Sequence, residues 1–257
     1  MPVPLLAFLG LVAGVAVEGV VSSYRHHGGF RPWPCCRDCG RWAPLVALVP
    51  LLGLLVSPRC PDPSCGRSWW ARAVQVQVAT GIAFVALGGQ YAAYPALLAV
   101  SLCEAALLVA LLFIDLESRL IPTLLVILIV VLALGSAAFW PGLGLGSALA
   151  GGAIGFASFG ALVLLARLVF GEGALGMGDA NLALAIGCIT GYPLVAFTLS
   201  VGVFLGGLGA AAILLGALVA RRAGVGLHTT IPYGPYLVLG VLYVLAHGNT
   251  LNPLVRF

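Results

Sequence analysis

The chain has 257 residues, of which 61% are hydrophobic and only 8% charged, against roughly 25% charged in an ordinary soluble domain. That balance excludes a water-soluble fold and makes lipid the main solvent. All 12 basic residues are Arg, no face is long and basic enough for a nucleic-acid partner, and the net charge of +4 matters less than where those Arg residues sit.

Apolar stretches of about 20 residues cross a hydrocarbon core roughly 30 Å thick. The first runs from Pro2 to Tyr24 and has no basic leading region, so it reads as a retained first helix and not a cleaved signal peptide. Arg25 to Trp69 follows, polar at both ends; its apolar middle, Ala43 to Ser57, is short and broken by Pro44 and Pro50, which suits an interfacial or packed segment. Further spans are expected at Trp70 to Tyr91, Pro95 to Ile114, Ile121 to Trp140 and Leu145 to Phe170. Ala180 to Thr190, extended by neighbours, Pro193 to Ala220 and Ile231 to His247 complete the set. The expectation is an all-α, polytopic membrane bundle of about eight transmembrane helices with a small Cys-rich loop. Its parts are a first helix (residues 1–24), the loop (25–69) and a seven-helix core (70–257).

The Arg residues set the orientation. Seven lie between Arg25 and Arg72, and Arg119, Arg167 and Arg221-Arg222 fall on the same side if the helices alternate. The turns on the other side (Gln90 to Tyr94, Pro141 to Gly144, Gly191 to Pro193) carry no charge, leaving Arg256 alone there. The positive-inside bias then puts the loop in the cytoplasm and both termini outside.

Within the loop stand Cys35-Cys36-Arg37-Asp38-Cys39 and Cys60-Pro61-Asp62-Pro63-Ser64-Cys65. A C-x2-C pair (Cys36, Cys39) and a C-x4-C pair (Cys60, Cys65) on two tight turns can close a tetrahedron around a structural Zn²⁺. Cys35 can replace Cys36, and ordinary reduced thiols are the competing reading. Cys103 and Cys188 stand alone in spans and read as packing residues.

Ionisable groups in or beside spans are functional candidates. Asp115 ends the third span and Asp179 opens the sixth in Gly176-Met-Gly178-Asp179, and the derived topology puts both on the cytoplasmic side. Two carboxylates facing each other share one proton and can act as acid and base on water and a scissile amide. Taken singly, Asp115 can face water with Arg119, and Asp179 can favour a helix N-terminus. Gly176 and Gly178 permit close backbone approach, which suits an extended peptide. Glu104 lies on nearly the same helix face as Asp115, roughly 16 Å deeper, as a hydrogen-bonding or proton-linked group. Glu18 snorkels or pairs with an Arg. Gly151-x3-Gly155 and Gly202-x3-Gly206-x3-Ala210 read as packing seams.

Taken in order, the two Cys pairs, Phe113-Ile-Asp115 with Ile121-Pro122, Gly176-Met-Gly178-Asp179 with Leu182, and Ile231-Pro-Tyr-Gly-Pro-Tyr236 resemble the type IV prepilin peptidases, membrane aspartic proteases of the GxGD type. The resemblance implies cleavage of the leader from prepilins or pseudopilins at the inner face of the bacterial cytoplasmic membrane, with Asp115 and Asp179 activating water. It also implies an active-site loop containing Pro232 and Gly234. Many members further methylate the new N-terminal amine with S-adenosylmethionine; where the family usually has Lys two residues after the second Asp, this chain has Asn181. A proton-coupled transporter built on the same carboxylates is the competing class. A scaffold whose zinc loop recruits a partner ranks below both, because it leaves the carboxylates without a role. Oligomeric state is not legible in the sequence.

Overall fold

The computed structural model describes residues 2–27, 33–36, 39–40, 42, 70–139, 142–170, 176–219 and 232–251. Among them are eight helices: α1 (Val3–His27), α2 (Trp70–Tyr91), α3 (Pro95–Ser118), α4 (Thr123–Ala137), α5 (Leu145–Phe170), α6 (Met177–Thr190), α7 (Leu194–Val219) and α8 (Gly234–Leu251). The only β feature among the described residues is an isolated bridge between Cys35 and Trp42. Each expected apolar segment is therefore helical, and the all-α class holds. The segment Ala43 to Ser57 lies outside the described residues, as do Cys60 and Cys65.

Among the described residues, five helices are long and apolar enough to cross a membrane: Val3–Tyr24, Arg72–Tyr91, Pro95–Ser118, Leu145–Val169 and Leu194–Gly216. The apolar parts of α4, α6 and α8 are shorter, at Thr123–Ala137, Met177–Thr190 and Gly234–His247. At 1.5 Å per residue the 15 residues of α4 reach only about 22 Å. Their shortness has local causes. Pro122 precedes α4 in an extended conformation, and its ring disfavours the helical region for Ile121 before it. Gly176, also extended, precedes α6. Gly191, with φ of +65°, ends α6, a conformation that glycine adopts without penalty.

The chain divides into two compact units, residues 1–118 and 119–257. In the first, α1 packs on α2 and both contact α3. Gly10 and Gly14 let α1 close on α2: a Cβ on Gly10 would stand 2.7 Å from the Cα of Gly81, and one on Gly14 2.5 Å from the Cα of Gln77. Leu6, Leu87, Leu108 and Leu111 fill the core.

In the second unit α5 and α6 meet most extensively. The expected Gly151-x3-Gly155 seam is one half of that contact: Gly151 lies against the carbonyl of Gly187 and Gly155 against that of Ala183, so neither position has room for a side chain. Gly202 and Gly206 play the same part between α7 and α8, facing Leu237 and Tyr233. The turn after α6 is pinned to α5, where Ser147 Oγ donates to the Tyr192 carbonyl at 2.8 Å and the Tyr192 N–H donates to the Ser147 carbonyl at 3.1 Å. Outward faces are apolar, with Leu168, Phe204 and Leu215 exposed, as lipid requires. Cys103 corrects the sequence reading: it is exposed, whereas Cys188 is buried. On α3 its neighbours Glu104 and Ala105 take the inward positions.

Candidate active site

Asp179 sits in the first turn of α6 and is 9% exposed. Its N–H donates to the Gly176 carbonyl at 3.1 Å, and its Oδ2 accepts the Gly176 N–H at 3.3 Å. That reciprocal pair closes the turn over the helix N-terminus, where unsatisfied N–H groups and the helix dipole favour a carboxylate. Gly178 lies against Ile121: a Cβ on that glycine would stand 3.1 Å from the Ile121 Cβ. The Ile121-Pro122 segment and the Gly-Met-Gly-Asp turn, far apart in sequence, are thus in contact.

Tyr233 completes this group. It lies between the expected loop residues Pro232, half-buried, and Gly234, buried. Its hydroxyl donates to the Val203 carbonyl at 3.3 Å, its ring fills the space left by Gly206, and it meets Tyr236 edge-on at 6.5 Å. Burial raises the Tyr233 pKa above its ordinary value, and the charge of Asp179 adds to the shift. Gly176, Gly178, Asp179 and the Pro232–Gly234 segment therefore gather at one place in the second unit. Tyr233 and Ile121 both lie in motifs legible in the sequence, yet nothing in a motif says which of its side chains approaches the acid.

Asp115 belongs to the first unit. It stands in the last turn of α3, 5% exposed, beside Ile114 and one turn from Leu111, both buried. Two residues on, Glu117 takes part in an ion cluster that sequence reading reached only in part. Arg72 Nε donates to Glu18 Oε1 at 3.0 Å and its Nη2 contacts the same oxygen, while Nη1 donates to the two oxygens of Glu117 at 3.1 and 2.9 Å. Glu18 does pair with an Arg, as expected. The signal that would have found its partner is the scarcity of charge: a carboxylate in an apolar span needs a cation at the same depth, and Arg72 opens the neighbouring span. Deeper on α3, Glu104 is 1% exposed and its Oε2 has no hydrogen-bond partner.

Of the four expected zinc ligands, Cys36 and Cys39 are among the described residues, the first buried and the second exposed. The Gly40 N–H donates to the Cys36 carbonyl at 3.0 Å. Cys35 is engaged otherwise: its N–H donates to Ser22 Oγ at 3.0 Å, it bridges to Trp42, and its side chain is fully buried. That burial holds its thiol above its usual range. Among the described residues no three His, Cys, Asp or Glu side chains form a metal cluster.

Residues 102–211, which include both Asp115 and Asp179, match the model of the type IV leader peptidase family. The chain is similar to the type IV leader peptidases over that segment. Three similar proteins carry the name prepilin leader peptidase/N-methyltransferase. The one from Dichelobacter nodosus is 26% identical over 223 residues, 86% of this chain and 73% of that protein. The one from Myxococcus xanthus is 33% identical over 231 residues, covering 85% of this chain and 64% of the relative. The one from Pseudomonas aeruginosa is 28% identical over 145 residues, covering 56% and 48%. The chain thus spans from about half to about three quarters of the length of those proteins. No solved structure matches the chain.

Proposed function

We propose that the chain is a membrane aspartic endopeptidase that removes the leader peptide of type IV prepilins or pseudopilins at the cytoplasmic face of a bacterial inner membrane. The observation that carries this reading is the setting of the two acids. Each is buried at a helix end within the family-matched segment, Asp115 closing α3 and Asp179 opening α6. With helices crossing alternately, those two ends share one side, the side on which the Arg residues accumulate.

In the proposed reaction one carboxylate is ionised and takes a proton from water. The other, protonated, donates to the scissile carbonyl oxygen as the water oxygen bonds its carbon. Collapse of the gem-diol breaks the C–N bond: the first acid gives its proton to the leaving amine while the second carboxylate takes one back from a hydroxyl, reforming the carbonyl and restoring the pair. Gly176 and Gly178 present backbone without side chains beside Asp179, which favours an extended substrate strand. Tyr233 walls the acid on one side, and its hydroxyl, already given to Val203, takes no part in proton transfer.

Cys36 and Cys39 fit one half of a four-thiolate site, Cys60 and Cys65 being the expected other half, and Zn²⁺ bound there would staple the loop. N-methyltransferase stands in the names of the similar proteins, and S-adenosylmethionine is the methyl donor the resemblance implies. In this chain the half-buried Asn181 occupies the position next to the acid where the family usually has Lys, so proteolysis is the reading taken here.

The test is to incubate the purified chain with a prepilin and locate the cut by mass spectrometry, alongside Asp115→Asn and Asp179→Asn. Cleavage at the leader junction, with each variant reduced by about 10³-fold or more while still accumulating, supports the assignment. Full cleavage by either variant removes that residue from the mechanism. A proton-coupled transporter is the second reading, favoured by the buried Glu104; proton-linked flux in proteoliposomes without peptide cleavage would select it.

A further inference from the structure

Arg72 joins three helices of the first unit through one guanidinium. It grips Glu18 on α1 and both oxygens of Glu117 on α3, and all three side chains are largely buried, at 11%, 1% and 10% exposed. The planar fork of an arginine can hold two carboxylates in fixed directions, which a lysine ammonium cannot.

The place of this grip is specific. Glu117 lies two residues beyond Asp115, and at about 100° per residue the two side chains leave α3 on roughly opposite faces. The last turn of a helix lacks intrahelical partners for its final carbonyls and frays unless it is anchored. Here the helix ends at Ser118, and Arg119 turns into the left-handed region with φ of +54°. Holding Glu117 therefore stops the terminal turn from unwinding or rotating, and so sets the direction of Asp115. The anchor is itself fixed. Ser22 Oγ donates to the Glu18 carbonyl at 2.8 Å and accepts the Cys35 N–H at 3.0 Å, so the α1 turn that carries Glu18 is braced from the loop side.

We propose that Arg72, acting through Glu117, is a positioning residue for Asp115, with Glu18 as its fixed base. This rests on the reading that Asp115 acts in peptide cleavage. An ion cluster that only held helices together would change how much folded protein accumulates and where it melts, but not turnover per folded molecule. A positioning residue changes turnover, because displacement of a reacting group by about 1 Å lowers rates by up to about 10²-fold.

Glu117→Ala is the cleanest probe, since it leaves Arg72 and Glu18 as a matched pair and strands no buried carboxylate. With a purified prepilin substrate in detergent, Glu117→Ala is expected to lower kcat by about tenfold or more with KM unchanged. Glu117→Gln, which keeps an oxygen for the guanidinium, is expected to recover most of that loss. A neutral triple variant, Glu18→Gln with Arg72→Met and Glu117→Gln, is expected to melt near the parent yet turn over as slowly as Glu117→Ala. Parental kcat in Glu117→Ala, or in the folded triple variant, overturns the inference. Asp115→Asn separates the two layers. If it is inactive while Glu117→Ala is fully active, only the positioning role fails; if it cleaves normally, Asp115 leaves the mechanism and the inference falls with it.

Discussion

Ile121 rests directly on the face of Gly178, with 3.1 Å between its Cβ and the position a Cβ on that glycine would occupy. The contact joins the extended segment before α4 to the turn that presents Asp179. A methyl on Gly178 would need Ile121 to give by a few tenths of an ångström, so glycine in the Gly-Met-Gly-Asp turn has a steric advantage in addition to any need for substrate approach.

Gly178→Ala is accordingly expected to destabilise by about 1–2 kcal/mol and to reduce prepilin cleavage, because the added methyl displaces the turn that holds Asp179. The nearest atom is the Ile121 Cβ itself, so Ile121→Val gives no relief, whereas Ile121→Gly restores room. Thermal melting and cleavage rates of the two double variants check this; equal rescue by both would show that another contact dominates.

Tyr233 offers a pH signature. Its pKa is raised from 10.0, first by burial and second by the charge of Asp179. A group whose folded pKa lies above its unfolded value contributes stability that is fully present below the unfolded value and is lost as pH rises through the folded one. Stability should therefore fall as pH climbs beyond 10.0, and Tyr233→Phe should remove that part of the slope. Asp179→Asn should lower the tyrosine pKa only partway, since burial persists. Spectroscopic titration of tyrosinate in the parent, with Tyr233→Phe subtracted, measures both. A Tyr233 pKa unmoved by Asp179→Asn would contradict their proximity.

The α5–α6 seam predicts a sharp contrast between glycines on one helix. At Gly151 a methyl would meet the backbone of Gly187, whereas Gly160 has open space around it. Gly151→Ala is expected to cost several kcal/mol or to prevent accumulation, because backbone cannot step aside as a flexible side chain can. Gly160→Ala should be neutral or stabilising by up to about 1 kcal/mol through helix propensity. Melting temperatures in detergent report both, and comparable losses at the two sites would refute the close packing.

The cysteines divide by packing. Cys35 and Cys36 are both buried, Cys35 with its N–H committed to Ser22, whereas Cys39 is exposed. Protein purified without chelators is expected to carry about one zinc per chain by elemental analysis. Cys36→Ser and Cys39→Ser should lose it, and Cys35→Ser should retain it while melting earlier. Zinc lost from Cys35→Ser but kept in Cys36→Ser would reverse the assignment.

What the sequence by itself determined was the solvent, the eight helical segments and most of their ends. These follow from local properties: the length of an apolar run, a proline that bars the preceding residue from helix, a glycine that accepts positive φ. It also marked Asp115 and Asp179, since a carboxylate beside a span is conspicuous when only eight acidic residues exist. Facing was another matter. Helices apolar on every side give no contrast between inner and outer surfaces, so the exposure of Cys103 could not be read. For the same reason only the tertiary structure decided that Arg72 bridges Glu18 and Glu117, that Ile121 covers Gly178, and that Tyr233 feels the charge of Asp179. Each of those contacts depends on rotation about a helix axis, which packing sets and local composition does not.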